Sequence, residues 1–409
     1  MQTPGVLDGI RILDVSQGAA GPTAGMVLGE YGANVIKVDP PQGEWGRRLG
    51  PPFLGEDAAA YIGMNRNKRS IVINLKTERG LDVFKTLAAR SDVVLESFRP
   101  GVMDRLGIGY AGLSHHHPDL IYCAISAFGT TGPWRDKPGV DGIIQAMSGL
   151  MSVTGEPDGQ PVKVGVPAAD MTAALIAVQG ILLALLARMT TGKGQRIDVS
   201  LLQSLFFFQT VPWSMFMVSG RSPGRQGSAA PYSAPNEVYP TKDGFLMVAA
   251  YWPQRWTKLT QLLECEELAA DPRFCGISER VIHRAELFDL LAEKFRRRNT
   301  EEWLDILGKE DILCAPVMDY DQLAKLAHVM TPENFPRLEH PDLGMTPGVG
   351  MPTQLQDMPS EPRRPAPLTG EHTREILEEG GYSAGAIDEL IEQGAVGERS
   401  RILAKDLEE

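Results

Sequence analysis

Short apolar runs alternate with amphipathic stretches along the N-terminal part of the chain. Ile10 to Val15 (IRILDV) reads as a strand of branched apolar residues. A glycine-rich turn follows, Gly18-Ala19-Ala20-Gly21. Pro22 then suits the first turn of a helix, where a missing N–H costs nothing; that helix runs to about Tyr31. Asn34 to Val38 predicts the next strand, with Asp39 at its end. Ser70 to Leu75, Asp92 to Glu96 and Leu120 to Ile125 predict further strands, and Glu78 to Arg90 a helix. Strands alternating with helices predict an open, parallel α/β sheet. Ligands of such sheets sit beyond the carboxyl ends of the strands. The informative positions are therefore Gly18 to Gly21, Asp39, the stretch after Leu75, Ser97 to Arg99, and Ser126 to Gly132.

Met171 to Met189 (MTAALIAVQGILLALLARM) is the longest apolar run and is nearly long enough to cross a bilayer. It holds Thr172, Gln179 and Arg188, and no second span or basic flank accompanies it, so a helix buried in a large core is the expectation, with no membrane partner. Ser, Pro and Gly crowd between about Val211 and Gly227, which predicts a linker and loop. A smaller α+β segment follows from about Tyr239 to Val317, with a strand (FLMVAA) and helices around Gln254–Leu263, Arg280–Arg297 and Thr300–Lys309. A second Pro-rich stretch spans about Thr331 to Pro367. The predicted organisation is a large domain over 1–210, a linker over 211–235, a small α+β domain over 236–325, and a linker with a C-terminal segment over 326–409.

The length of 409 residues favours two domains over one core. A net charge of −12 disfavours nucleic acid as a partner, which needs a basic footprint, but leaves room for a small phosphorylated ligand. Cys123, Cys265, Cys275 and Cys314 form no CxxC pair, no zinc spacing and no disulfide framework, so they read as reduced thiols of a cytoplasmic protein. The opening MQTPGVLDGI has neither the basic nor the apolar region of a secretory signal.

Several motifs are weaker than they look. Gly107-Ile108-Gly109-Tyr110-Ala111-Gly112 is a literal GxGxxG, but no strand precedes it. His115, His116 and His117 are adjacent and cannot all point at one ion, so no metal site is expected. Gly192-Lys193-Gly194 lacks the Ser or Thr and the earlier Gly of a phosphate loop. Gly18, Gly21 and Gly25 after a strand, with Asp39 ending the next, are a better dinucleotide candidate, although the spacing departs from the fingerprint. On these residues an NAD-dependent oxidoreductase stays open. Arg66, Lys68, Arg69, Lys76, Arg99 and Arg105 abut strands. Singly each reads as solvated surface; together they could meet the phosphates of a nucleotide.

Asp170 stands directly before the apolar helix, in VGVPAADMTAALIAV. The ordinary role there is an N-cap. Helix amides and the helix dipole favour an ionised carboxylate. With apolar neighbours, an ionised carboxylate is a competent nucleophile.

The ordered stretches ILDVSQGAAGPTAG, LGEYGANVIKVDPP, NRNKRSIVINLK, LESFRPGVMDRLGIGY, AISAFGTTGP, AADMTAALIAVQGILLALLARMTTGKGQRIDVSL and APYSAPNEVYPTKDG carry a resemblance along nearly the whole chain. The chain resembles the class III CoA-transferases, a family that includes formyl-CoA transferase, carnitine CoA-transferase and α-methylacyl-CoA racemase. The resemblance implies a Rossmann-like large domain, a small domain, a C-terminal segment returning to the large domain, and an interlocked homodimer. It implies coenzyme A thioesters and carboxylic acids as substrates, with no permanently bound cofactor. It makes Asp170 the residue that carries CoA as an aspartyl thioester. CoA contacts fall by similarity on Ala19, Ala20, Ile73, Asn74, Lys76, Ser97, Phe98, Arg99 and Arg105. Ala19 stands where formyl-CoA transferase has Gln, which disfavours formate–oxalate exchange. The racemases use a His before the Asp of a G-H-D stretch. Here it reads Gly139-Val140-Asp141, and Val140 cannot shuttle a proton, so transfer is favoured over the alternative of racemisation.

Overall fold

In the computed structural model, which describes residues 5–358 and 360–399, the strand runs fall where their apolar residues can be covered on both faces. Arg11–Asp14 (β1), Asn34–Asp39 (β2), Lys68–Ile73 (β3), Val93–Glu96 (β4) and Ile121–Ser126 (β5) are almost wholly buried, as parallel strands between helical layers must be. Ala20–Glu30 (α1) connects β1 to β2, and Glu78–Ala88 (α2) connects β3 to β4. Thr77 caps α2 by accepting from the Gly80 N–H. Asp141–Met147 (α3) and the long helix Ala168–Thr191 (α4) precede the last parallel strand, Arg196–Ser200 (β6).

The seven-stranded sheet runs in the order Val396–Gly397, β3, β2, β1, β4, β5, β6. All pairings are parallel except that of Val396–Gly397, which closes the β3 edge antiparallel. The order 3-2-1-4-5-6 is that of doubly wound sheets, and it reverses direction between β1 and β4. The C-terminal stretch packs on this sheet as well: Ile376, Leu377, Ile387, Leu390 and Val396 share one core with Ile71, Ile73, Val83 and Phe84.

The chain divides into two compact units. One comprises the residues up to Leu150, Val164–Ser214 and the stretch from Met330 onward; the other comprises Met151–Lys163 and Met215–Val329. The second unit is α+β. Its antiparallel sheet joins Asn236–Pro240, Phe245–Ala249 and Leu313–Pro316 around a core of Tyr239, Trp256, Phe274, Phe295 and Trp303.

Three local expectations are corrected. The run after Thr210 forms helices rather than a loop: Leu201–Phe208 (α5) is followed by Thr210–Ser219 (α6), because TVPWSMFMVS offers apolar residues and a proline that fits the first turn. The Pro-rich stretch after residue 331 contains a hairpin, Arg337–His340 with Gly344–Pro347. Helix α4 is buried on one face only. Ala173, Ala174, Ala177, Ile181 and Ala184 are covered, whereas Leu175, Leu183, Leu186 and Met189 are exposed. It is the single helix among the described residues that is long and apolar enough to cross a membrane.

Candidate active site

Where the strand order reverses, two loops are tied together. The Ser97 hydroxyl accepts from the Gln17 N–H at 2.9 Å and donates to the Gln17 carbonyl at 3.1 Å. Gly18 has φ of +86°, a left-handed conformation that favours glycine. A Cβ on Gly21 would run into Ser16, so α1 can start this close to β1 only with glycine there. On the other side, the Glu96 carboxylate accepts from the Phe98 N–H at 2.7 Å and shapes the loop of Ser97, Phe98 and Arg99. Burial pushes the Glu96 carboxyl up to about 7, against the pull of that N–H.

Asp170 is the third residue of α4, not its cap; Pro167 precedes the helix. One of the first amides of α4 is served from another helix. Asp141, at the start of α3, accepts from the Ala169 N–H at 2.8 Å and from the Gln145 side-chain amide at 2.7 Å. Gln145 in turn accepts from the Val164 N–H at 2.9 Å. The Asp170 carboxylate has no hydrogen-bond partner among the described residues. Burial and then the negative charge of Asp141 push its carboxyl up to about 7. This corrects the expectation of a carboxylate held ionised by the helix end. The Ala169 amide serves Asp141, and desolvation followed by a like charge disfavours the ionised form of Asp170.

Asp170 opens into a cleft of about 300 Å³ lined by Gln17, Gly18, Ala19, Ala20, Trp45, Ser97, Phe98, Arg99, Ser126 and Val140. A neighbouring cleft of about 410 Å³ is lined by Ile73, Asn74, Lys76, Pro40, Pro41 and Leu106, and Gln17 and Phe98 line both. The two clefts therefore gather nine of the ten candidate residues named from the sequence: Ala19, Ala20, Ser97, Phe98 and Arg99 beside Asp170, and Ile73, Asn74 and Lys76 next door. Arg105 lines neither and is exposed on the short helix Val102–Arg105.

Three basic residues that abut the strands are unavailable to a ligand. Lys68 pairs with Asp14 at 2.8 Å, both fully buried; Arg66 pairs with Glu30; Arg69 pairs with Glu375 and Glu379. Each is held by a carboxylate from another element, Asp14 on β1, Glu30 at the end of α1, or Glu375 and Glu379 in the C-terminal stretch, which residue order does not reveal. Among the described residues no cluster of His, Cys, Asp and Glu could hold a metal ion. Sequence reasoning missed Asp141 as a site residue, along with Gln17 and Trp45. The acidic residue beside Val140 at the start of α3 is the one signal of it in the sequence.

The sequence profile described as "CoA-transferase family III" matches residues 7–373. The chain belongs to this family. The family III chain is 36% identical over 392 residues to the mouse "Succinyl-CoA:glutarate CoA-transferase", covering 95% of this chain and 90% of the relative. It is 37% identical over 380 residues to the "Succinate--glutarate CoA-transferase" of Agrobacterium fabrum, covering 91% and 95% respectively. A solved CAIB/BAIF family protein from Brucella suis superposes with a TM-score of 0.82 at 35% identity, over 93% of this chain and 100% of that one. The family III protein is thus a CoA-transferase enzyme. Its large parallel sheet with flanking helices is the fold of its structural neighbours. Acyl-CoA thioesters and carboxylates are the substrates that this family implies.

Proposed function

We propose that this enzyme moves CoA from succinyl-CoA to a short dicarboxylic acid through a covalent thioester on Asp170. The observation that carries the reading is the position of Asp170. It is an unpartnered carboxylate opening into the cleft at the reversal of the strand order. The adjoining cleft, with Lys76 and Asn74, suits the nucleotide end of CoA, and Gln17 and Phe98 lie along the pantetheine path between the two. The acid class is suggested by the names of the relatives, which pair succinyl-CoA or succinate with glutarate.

The steps balance without a cofactor. The Asp170 carboxylate attacks the donor thioester carbonyl, the C–S bond breaks, and CoA leaves as a thiolate. The thiolate attacks the aspartyl carbonyl of the mixed anhydride and releases the donor acid. The acceptor carboxylate then attacks the aspartyl thioester, and the returning thiolate takes its acyl group and frees Asp170. The turn from Gly18 to Ala20 lines the cleft, and its backbone N–H groups are the proposed donors for the oxyanions. Water must be kept from each acyl intermediate. Val140 stands at the cleft where a racemase would need a base, which favours transfer. Two chains are proposed to form the interlocked homodimer of the family.

Incubation with succinyl-CoA and no acceptor is expected to leave a CoA adduct on the peptide containing residue 170, seen by mass spectrometry and erased by borohydride reduction. Asp170→Ala is expected to lose both adduct and transfer. Full transfer by Asp170→Ala would sink the proposal.

A further inference from the structure

One large wall of the Asp170 cleft has no part in the steps above. Trp45 begins a short 3₁₀ turn, Trp45–Arg48, and its side chain is 49% exposed. It makes no hydrogen bond among the described residues. A tryptophan offers about 150–250 Å² of burial, so an indole left half in water on a folded wall is poised for a covering group.

Its mount is rigid on both sides. Glu44, just before it, pairs with Lys37 at 2.8 Å with both side chains fully buried. Arg47, two residues on, is held by Asp39 and Asp57 at 2.9 Å each and lies 3.9 Å over the Tyr61 ring. Behind the ring there is no slack: a Cβ on Gly18 would come within 2.7 Å of the indole Cζ2. The ring fills the space that a side chain at residue 18 would need, so the turn cannot accept a larger residue.

Which end of the substrate meets this wall follows from the two clefts. Lys76 and Asn74 line the neighbouring cleft, which Trp45 does not touch. Trp45 shares its cleft with Asp170, Gly18 and Val140, the reacting end. A fixed aromatic wall there meets the acyl group, not the nucleotide.

We infer that Trp45 is a specificity-determining residue: its ring walls the acyl side of the Asp170 cleft, admits compact short-chain dicarboxylic acids and excludes branched and aromatic ones. This rests on the reading of Asp170 as the CoA carrier. A wall that is pinned at Glu44 and Arg47 and backed by Gly18 acts by shape, so it discriminates between acids without changing how CoA itself is held.

The test compares glutarate with phenylsuccinate as acceptors from succinyl-CoA, using the full-length wild type, Trp45→Phe and Trp45→Ala. Free-CoA affinity is measured alongside by calorimetry. Pocket contacts of this size discriminate by roughly 10–200-fold. Trp45→Ala is expected to lower the glutarate-to-phenylsuccinate ratio of kcat/KM within that range, and Trp45→Phe to lower it less. CoA affinity should stay within about twofold in both, since the nucleotide cleft is untouched. An unchanged ratio, or equal losses with both acids, overturns the inference while leaving the Asp170 mechanism standing. So does a fall in CoA affinity that accounts for the whole effect. A wild type that transfers CoA to neither acid overturns the proposed function, and this inference with it.

Discussion

Asp170 and Asp141 show how far a residue's chemistry depends on its neighbours. The identity of the carboxylate was visible in the sequence; its acid strength was not. Burial and Asp141 push the Asp170 carboxyl up to about 7, and only its ionised form is a nucleophile. The kcat/KM of transfer is therefore expected to rise about tenfold per pH unit below neutrality and to level off above it. Asp141→Asn removes the neighbouring negative charge but keeps an acceptor for the Ala169 N–H. Its acid limb is expected to move to lower pH in a profile taken from pH ~5 to ~9, while burial keeps part of the elevation. A limb that stays in place would show that Asp141 does not act on Asp170 by charge. Asp141 escaped notice in the sequence because its partner amide lies 28 positions away. That contact exists only once α3 and α4 pack together.

At the scale of elements, the strands were legible and the charges beneath them were not. Runs such as IRILDV and NVIKV mark buried parallel strands because both faces are covered. The edge pair Val396–Gly397 is too short to carry any pattern, and Arg196–Ser200 alternates over too few residues. Lys37, inside β2, looks like a polar interruption in the sequence, yet it is fully buried against Glu44. Removing one partner strands the other charge in the interior. Glu44→Ala is expected to lose about 3–5 kcal/mol in urea unfolding, whereas the joint change Lys37→Met with Glu44→Leu recovers most of it. Equal destabilisation by the single and double variants would contradict this account. Glu44 directly precedes Trp45, so its pairing with Lys37 of β2 also ties the start of the cleft-wall turn to the sheet.

At the scale of the molecule, the outer faces of two helices remain unaccounted for by one chain. Leu175, Leu183, Leu186 and Met189 on α4, and Phe207 and Phe208 on α5, are exposed together with the unburied helix α6. We propose that this apolar surface is an association site. A second copy of the chain is the proposed occupant, in keeping with the homodimer that the family resemblance implies. Light scattering on the eluting protein is expected to give twice the chain mass at micromolar concentration. Leu183→Lys together with Leu186→Lys is expected to shift it toward the monomer. A wild type that elutes as a monomer would refute the pairing.

What residue order alone determined was what local periodicity and an ordered run of motifs set: the alternating α/β pattern, the ligand end of the sheet, the family resemblance, and Asp170 as a candidate. The strand and helix pattern depends on neighbours a few positions apart, and apolar spacing reports it directly; the candidacy of Asp170 as CoA carrier rests on the resemblance. Only the tertiary structure decided which charges are free and which are spent. Lys68, Arg66 and Arg69, basic residues that could have met phosphates, are occupied by Asp14, Glu30 and Glu379 from distant segments. Asp170 is not the helix cap, because Asp141 on α3 accepts the Ala169 N–H instead, and burial and then the charge of Asp141 make Asp170 a weaker acid. A carboxylate's strength is set by desolvation and by charges within a few ångströms, and in a folded chain those neighbours come from anywhere along the sequence.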